Sequence, residues 1–168
     1  INVHRTPLNC HTLLRVLDSN YNEKLLNKTK LLKAILFILF TDSDSFSYLS
    51  NKPDVEECTY VLGRFCKDLV KNGTRSFDAT TFTPALDGIC KSDCITLNIE
   101  AMLDVLLENN ILVRHGNQME FRHRYWIFYF AAEWMRHDDE FRQFILLNRN
   151  YVNYPEIIEF YSGIDGKR

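Results

Sequence analysis

Four groups of residues in this sequence are of types that do chemistry. Five cysteines, Cys10, Cys58, Cys66, Cys90 and Cys94, could bind a metal or pair as disulfides. An odd number without regular spacing is a poor disulfide framework, and reduced, buried thiols fit it better. Cys90-x-x-x-Cys94 has the form of half a zinc site, yet no second Cys or His pair follows at finger spacing. The histidines, His4, His11, His115, His123 and His137, are scattered. Asp138-Asp139-Glu140 is a carboxylate run, but at a helix start it complements the helix dipole. Gly163-Ile164-Asp165-Gly166-Lys167-Arg168 contains a Gly-Lys pair. Its glycines stand too close, and no Ser or Thr follows, so it is not a G-x-x-x-x-G-K-[ST] phosphate loop. Neither G-x-S-x-G nor H-E-x-x-H occurs. No catalytic residue and no metal site is therefore expected, and the chain by itself is expected not to be an enzyme.

The composition bounds the elements that must position such residues. The 168 residues suffice for one ordinary domain or two small ones. Apolar residues make up 46% and charged residues 25%, the balance of a globular chain, with twelve Phe, eight Tyr and two Trp to fill a core. A formal net charge of −2 gives no bulk attraction to nucleic acid or to an anionic membrane. The longest apolar run, Leu31 to Phe40, is interrupted by Lys33 and is too short to span a bilayer. No charged-then-apolar signal segment is present, and the sequence opens on Ile1 rather than Met. A piece of a larger cytoplasmic protein is the expectation. Asn27-Lys28-Thr29 and Asn72-Gly73-Thr74 match the glycosylation acceptor but carry no meaning without secretion.

Periodicity gives a mainly α fold: a helical bundle plus a winged-helix domain with a short β-hairpin wing. Pro7 suits the first turn of a helix carrying Leu8, Leu13, Leu14 and Leu17. A second helix is predicted from about Glu23 to Phe40, with a broad apolar face of Leu25, Leu26, Leu32, Ile35, Leu36 and Leu39. Residues 41–52, rich in Ser and Asp, read as a surface loop. Pro53 suits the first position of the next helix, whose stripe is Val55, Cys58, Leu62, Phe65 and Leu69 and whose end is Asn72-Gly73. Ser76-Phe77 reads as a short extended piece. A helix over about Ala79 to Cys90, weakened by Pro84, follows, and Asn98 caps another with Ile99, Met102, Leu103 and Leu106 buried. Ile111 to Arg114, His115-Gly116-Asn117 and Gln118 to Phe121 read as strand, turn and strand. A helix from about His123 to Arg136 is apolar almost all round and must be buried on most sides. Asp138 and Pro155 open the last two helices. The domains this predicts are 1–50, helical; 51–137, winged helix; and 138–168, the start of a further helical region.

A winged helix invites a DNA-binding reading, with the third helix in the major groove. Here that helix, Asn98 to Asn110, carries Glu100, Asp104 and Glu108 and neither Lys nor Arg. Carboxylates facing phosphates repel, and no Arg is there to read guanine. No specific DNA contact is expected.

One segment is more distinctive. Phe121-Arg122-His123-Arg124-Tyr125-Trp126-Ile127-Phe128-Tyr129-Phe130-Ala131-Ala132 resembles the F-x-H-x-x-F-x-E-Y-F-A-A helix of NACHT-type STAND NTPases. These signalling ATPases include animal NOD-like receptors and bacterial antiphage defence proteins. Phe121, His123, Tyr129, Phe130, Ala131 and Ala132 keep the pattern, whereas Phe128 stands in place of Glu and Trp126 in place of Phe. Arg5-Thr6-Pro7-Leu8 resembles the x-P-L start of the family's first helical domain. Leu26 to Leu32 resembles its N-R-x-x-L helix. Leu106 to Arg114 is similar to its helix-then-wing step, and Tyr154 to Gly163 resembles the helical region beyond the winged helix.

The resemblance implies a switch. In the family, a closed ADP-bound state gives way to an ATP-bound, oligomeric one. Carried over, Pro7 would pack on the adenine side and His123 would reach the ADP phosphates. The ADP or ATP, with Mg, would be held by an upstream NTPase domain of the same chain, and the isolated chain would hold no cofactor. A downstream sensor or helical-repeat region, and other copies on activation, would be the remaining partners. A histidine N–H donating to a phosphate oxygen is physically sound, since the phosphate favours the charged imidazole. Two bland readings stay open: His123 as a helix cap and Pro7 as an ordinary first-turn proline. The aromatic run 125–130 reads as core, and Arg122 and Arg124 as solvated. The alternative function is a helical protein-protein interaction module without nucleotide; a winged-helix DNA-binding regulator is a distant third.

Overall fold

Asn27 opens the first described helix, α1 (Lys28–Thr41), its side-chain oxygen accepting from Lys30 N at 2.9 Å. The structure, a computed structural model, describes residues 27–41, 53–147 and 150–164 together with Leu14, which is helical and exposed. The remainder of the helix predicted after Pro7, the Ser- and Asp-rich loop and Pro7 itself lie outside the described residues. The expectation of one broad apolar face on α1 falls short. Leu31, Leu32, Ala34, Leu36, Ile38 and Phe40 are all buried, because α1 meets α2, α4 and α8 on different sides.

In α2 (Val55–Asn72) the cap falls two residues later than Pro53 at the first position implies. Asp54 accepts from Glu56 N and Glu57 N at 2.8 and 3.0 Å, so its carboxylate fixes the start and Pro53 precedes it. At the other end Gly73 takes φ 65°, and its N–H and that of Thr74 reach Val70 O and Leu69 O. This left-handed closure requires glycine, as the Asn-Gly pair predicts.

A short strand, β1 (Ser76–Asp78), leads into α3 (Ala79–Ser92), where Asp78 accepts from Thr80 N at 2.7 Å. Pro84 falls inside this helix without ending it. Asn98 caps α4 (Ile99–Glu108) as expected, accepting from Ala101 N at 3.1 Å. The buried face of α4 is Ala101, Met102, Val105 and Leu106, with Ile99 and Leu103 only half-buried. It is rotated from the predicted stripe because α4 meets β2, α3 and α1.

The predicted hairpin forms from β2 (Leu112–His115) and β3 (Gln118–Phe121). His115 belongs to the strand, opposite Gln118, and the turn is only Gly116-Asn117, with Gly116 at φ 62°. The sheet has a third strand that the hairpin reading lacks. β1 pairs antiparallel with the free edge of β3, Phe77 opposite Met119, in the order β1-β3-β2.

From β3 the chain enters α5 (Arg124–Trp134), in which every residue from Trp126 to Trp134 is buried. It lies between α2 and α8 (Pro155–Gly163) and makes its largest contact with α2. Two shorter helices intervene. α6 (Asp139–Leu146) is capped by Asp138, which accepts from Phe141 N at 2.8 Å, and α7 (Asn150–Asn153) is a single turn that the sequence reading lacks. The buried side chains from α1 to α8 form one continuous apolar cluster. The described fold is thus mainly helical, eight helices with one small three-stranded antiparallel sheet. None of these helices is long and apolar enough to cross a membrane.

Candidate functional site

The chain turns from sheet to central helix at Arg122-His123. Phe121, the last residue of β3, is buried, and Arg122 N donates to Ile111 O at 2.9 Å, which ties the turn to the start of the hairpin. His123 then occupies the cap position of α5 with extended backbone, φ −126° and ψ 130°. Its side chain makes no capping hydrogen bond to the first turn. The imidazole instead lies parallel to the Tyr125 ring, centroids 5.2 Å apart and planes 8° apart. Both residues are half-buried, and burial pushes the Tyr125 hydroxyl above its ordinary pKa. The geometry therefore favours a held, partly accessible imidazole over the capping reading.

The arginines beside His123 are exposed, as expected. Arg122 reaches Asn110 Oδ1 at 3.4 Å, and the Arg124 guanidinium sits 4.6 Å from the Phe128 ring centroid. Pro7, the other residue implied to meet nucleotide, lies outside the described residues.

On the α2 side of Arg124 a cleft of about 80 Å³ opens between the ends of α2 and α5. Its lining mixes apolar side chains, Leu69, Ile127, Phe128 and Tyr154, with Arg75 and Arg124. The Tyr154 hydroxyl donates to Val70 O at 3.1 Å and so fixes one wall. Sequence reasoning passes over Arg75 and Tyr154. No local pattern marks them, since they meet only once α2, α5 and the head of α8 are packed together.

The other candidate groups resolve into structure. Asp138 combines its cap with an acceptor role toward the Trp134 indole N–H at 3.0 Å and an ion pair with Lys67 at 3.5 Å. Cys58, Cys66 and Cys90 are buried, and burial raises their thiol pKa values, which keeps them protonated and unreactive. Cys94 differs from the buried-thiol expectation: it is exposed and adopts φ 55°. Among the described residues no three His, Cys, Asp or Glu side chains are grouped so as to hold a metal ion.

Residues 89–131 match the profile of the family described as Novel STAND NTPase 4. The matched stretch runs from the end of α3 through α4 and the hairpin into α5, and it contains His123. These residues are similar to a region of STAND NTPases. No curated protein and no solved structure matches the chain.

Proposed function

We propose that this chain is the nucleotide-sensing, autoinhibitory region of a larger NACHT-type STAND signalling ATPase. The observation that carries the reading is the coincidence of the matched stretch with the Phe121-x-His123 step at the head of α5. In this reading residues 51–137 are a winged helix, flanked by a helical domain over 1–50 and by the start of a further helical region from 138. The order helix, strand, helix, helix and hairpin, with the first strand added to the far edge of the hairpin, supports that assignment.

The chain is then not an enzyme in itself. An NTPase domain elsewhere in the same cytoplasmic protein holds ADP or ATP with Mg, and His123 donates to a phosphate of ADP in the closed state, with Pro7 on the adenine side. Tyr125 orients the imidazole by stacking against it. Exchange of ADP for ATP removes that contact and frees the winged helix to rotate as a body and the protein to assemble with other copies. Motion passes to a downstream sensor or helical-repeat region. The three exposed carboxylates of α4, Glu100, Asp104 and Glu108, argue against the same fold reading duplex DNA.

The test uses the longer protein that the proposal requires. The purified protein is denatured without prior nucleotide exchange, and the released small molecules are resolved by anion-exchange chromatography. ADP close to one per protein is the expected result. Protein that binds neither ADP nor ATP would remove the sensing role and leave the interaction-module reading.

A further inference from the structure

Arg75 and Arg124 line one cleft, and neither has a carboxylate partner among the described residues. Other basic residues of α2 and of the segment after α5 do: Lys67 pairs with Asp138, Lys71 with Glu140, and Arg136 with Glu133. Arg124 is held in place by its contact with the Phe128 ring, which itself forms part of the cleft wall. Leu69, Ile127 and Tyr154 line the same cleft and supply its apolar part. Arg124 is also the first residue of α5, so the positive end of that helix adds to the local potential.

Size decides between ligand classes. Pockets for nucleotide- or drug-sized ligands run to roughly 300–1,000 Å³. At about 80 Å³ this cleft has room for one side chain. Two arginines beside apolar lining residues match an apolar side chain next to a carboxylate, since Arg binds carboxylates through paired N–H groups.

We propose that the cleft between the ends of α2 and α5 is a docking site for an acidic peptide segment, one apolar side chain seated against Leu69, Ile127 and Tyr154 and a neighbouring carboxylate held by Arg75 and Arg124. The site is separate from the His123 contact and stands whether or not nucleotide is bound elsewhere.

The test is a titration of the 168-residue chain followed by amide NMR shifts, with the peptide acetyl-Glu-Asp-Leu-Phe-Asp-Glu-amide as probe. Saturable shifts centred on Gly73, Thr74, Arg75 and Arg124 are expected, with dissociation in the millimolar range or tighter. Arg75→Ala and Arg124→Ala should each weaken binding by about threefold to tenfold, the range for partly exposed guanidinium–carboxylate contacts. Arg114→Ala, on the exposed wing, should leave it unchanged and reports on general charge effects. The peptide with Gln and Asn in place of its acids should not bind. Absence of shifts, equal binding of the neutral peptide, or the same shifts from inorganic phosphate alone would each overturn the assignment.

Discussion

Gly63 of α2 lies directly against the backbone of Phe130 in α5: a Cβ placed there would sit 2.9 Å from Phe130 O and 3.3 Å from the Trp134 Cβ. The two helices make the largest helix-to-helix contact in the described fold, and this glycine lies within it. A carbonyl on a buried helix cannot move aside as a flexible side chain can. Gly63→Ala should therefore destabilise the chain by about 1–3 kcal/mol, despite the gain in helix propensity. At this size that is a fall in Tm of about 2–4 °C per kcal/mol, read by calorimetry. A variant as stable as the parent would mean that α2 and α5 are not seated as described.

A second contact joins the two ends of the described chain. The Thr29 hydroxyl donates to Phe160 O at 2.9 Å, and the Asn27 amide donates to Gly163 O at 3.0 Å while its oxygen caps α1. These carbonyls belong to the last turn of α8, where helical partners run out. Thr29→Val keeps the shape but leaves the Phe160 carbonyl short of a donor in a buried place. It should cost about 1–3 kcal/mol and raise amide exchange selectively in α8. Exchange unchanged in α8 would contradict the docking of α1 on that helix.

Glu133 tests the electrostatics of the core. It is buried, with Arg136 Nη1 3.3 Å from Oε2. Burial raises its pKa above the ordinary value, and Arg136 offsets this only in part. The sign follows from the protonated form being favoured by folding. The contribution to stability is fully present below the unfolded-state pKa and is lost as pH rises through the folded value. Glu133→Gln should thus be at least as stable as the parent near neutral pH and lose that advantage in acid. Denaturant unfolding of both proteins across the acid range checks this; a Gln variant weaker at neutral pH and equal in acid would reverse the assignment.

How much of this was legible in the sequence depends on whether the determinant is local. Asn98, Asp138 and Gly73 act on backbone groups within three or four residues of themselves, so capping rules alone place those helix ends closely. The all-round burial of α5 was legible from its composition, as an unbroken apolar run leaves no face for solvent. Ser76-Phe77 was legible as an extended piece but its place in the sheet was not, because that is set by pairing with β3, Phe77 opposite Met119. The rotated face of α4 and the Arg75–Arg124 cleft were hidden for the same reason: both are created by partners distant in sequence. His123 was marked by its motif, but the ring that orients it, Tyr125, became visible only in three dimensions.

The acidic α4 gives a prediction about nucleic acid. Glu100, Asp104 and Glu108 are all exposed and recur every four residues, which places them on one face. Duplex DNA should bind weakly, without sequence preference, and lose what affinity it has as salt rises. A filter-binding or anisotropy titration at physiological salt checks it. Submicromolar, sequence-selective binding would restore the DNA-binding reading.

The last prediction separates the two roles of His123. As a cap it would contribute through a bond to the first turn of α5, and no such bond is made. Asp138, by contrast, caps α6 and also accepts from the Trp134 indole. In the isolated chain Asp138→Ala should cost about 0.5–2 kcal/mol or more, and His123→Leu should cost clearly less. In the longer protein the order should reverse for nucleotide. A charge-assisted hydrogen bond to phosphate contributes on the order of 1.5–3 kcal/mol, and each 1.4 kcal/mol is roughly tenfold in an equilibrium. His123→Leu should then lose ADP at least about tenfold more readily and assemble without its trigger. His123→Gln, which keeps a neutral donor, should fall between. Tm on the isolated chain, and ADP retention with basal assembly on the longer protein, read the two roles separately. A leucine variant that keeps its ADP and stays unassembled would sink the phosphate contact, while one that loses as much stability as Asp138→Ala would restore the cap.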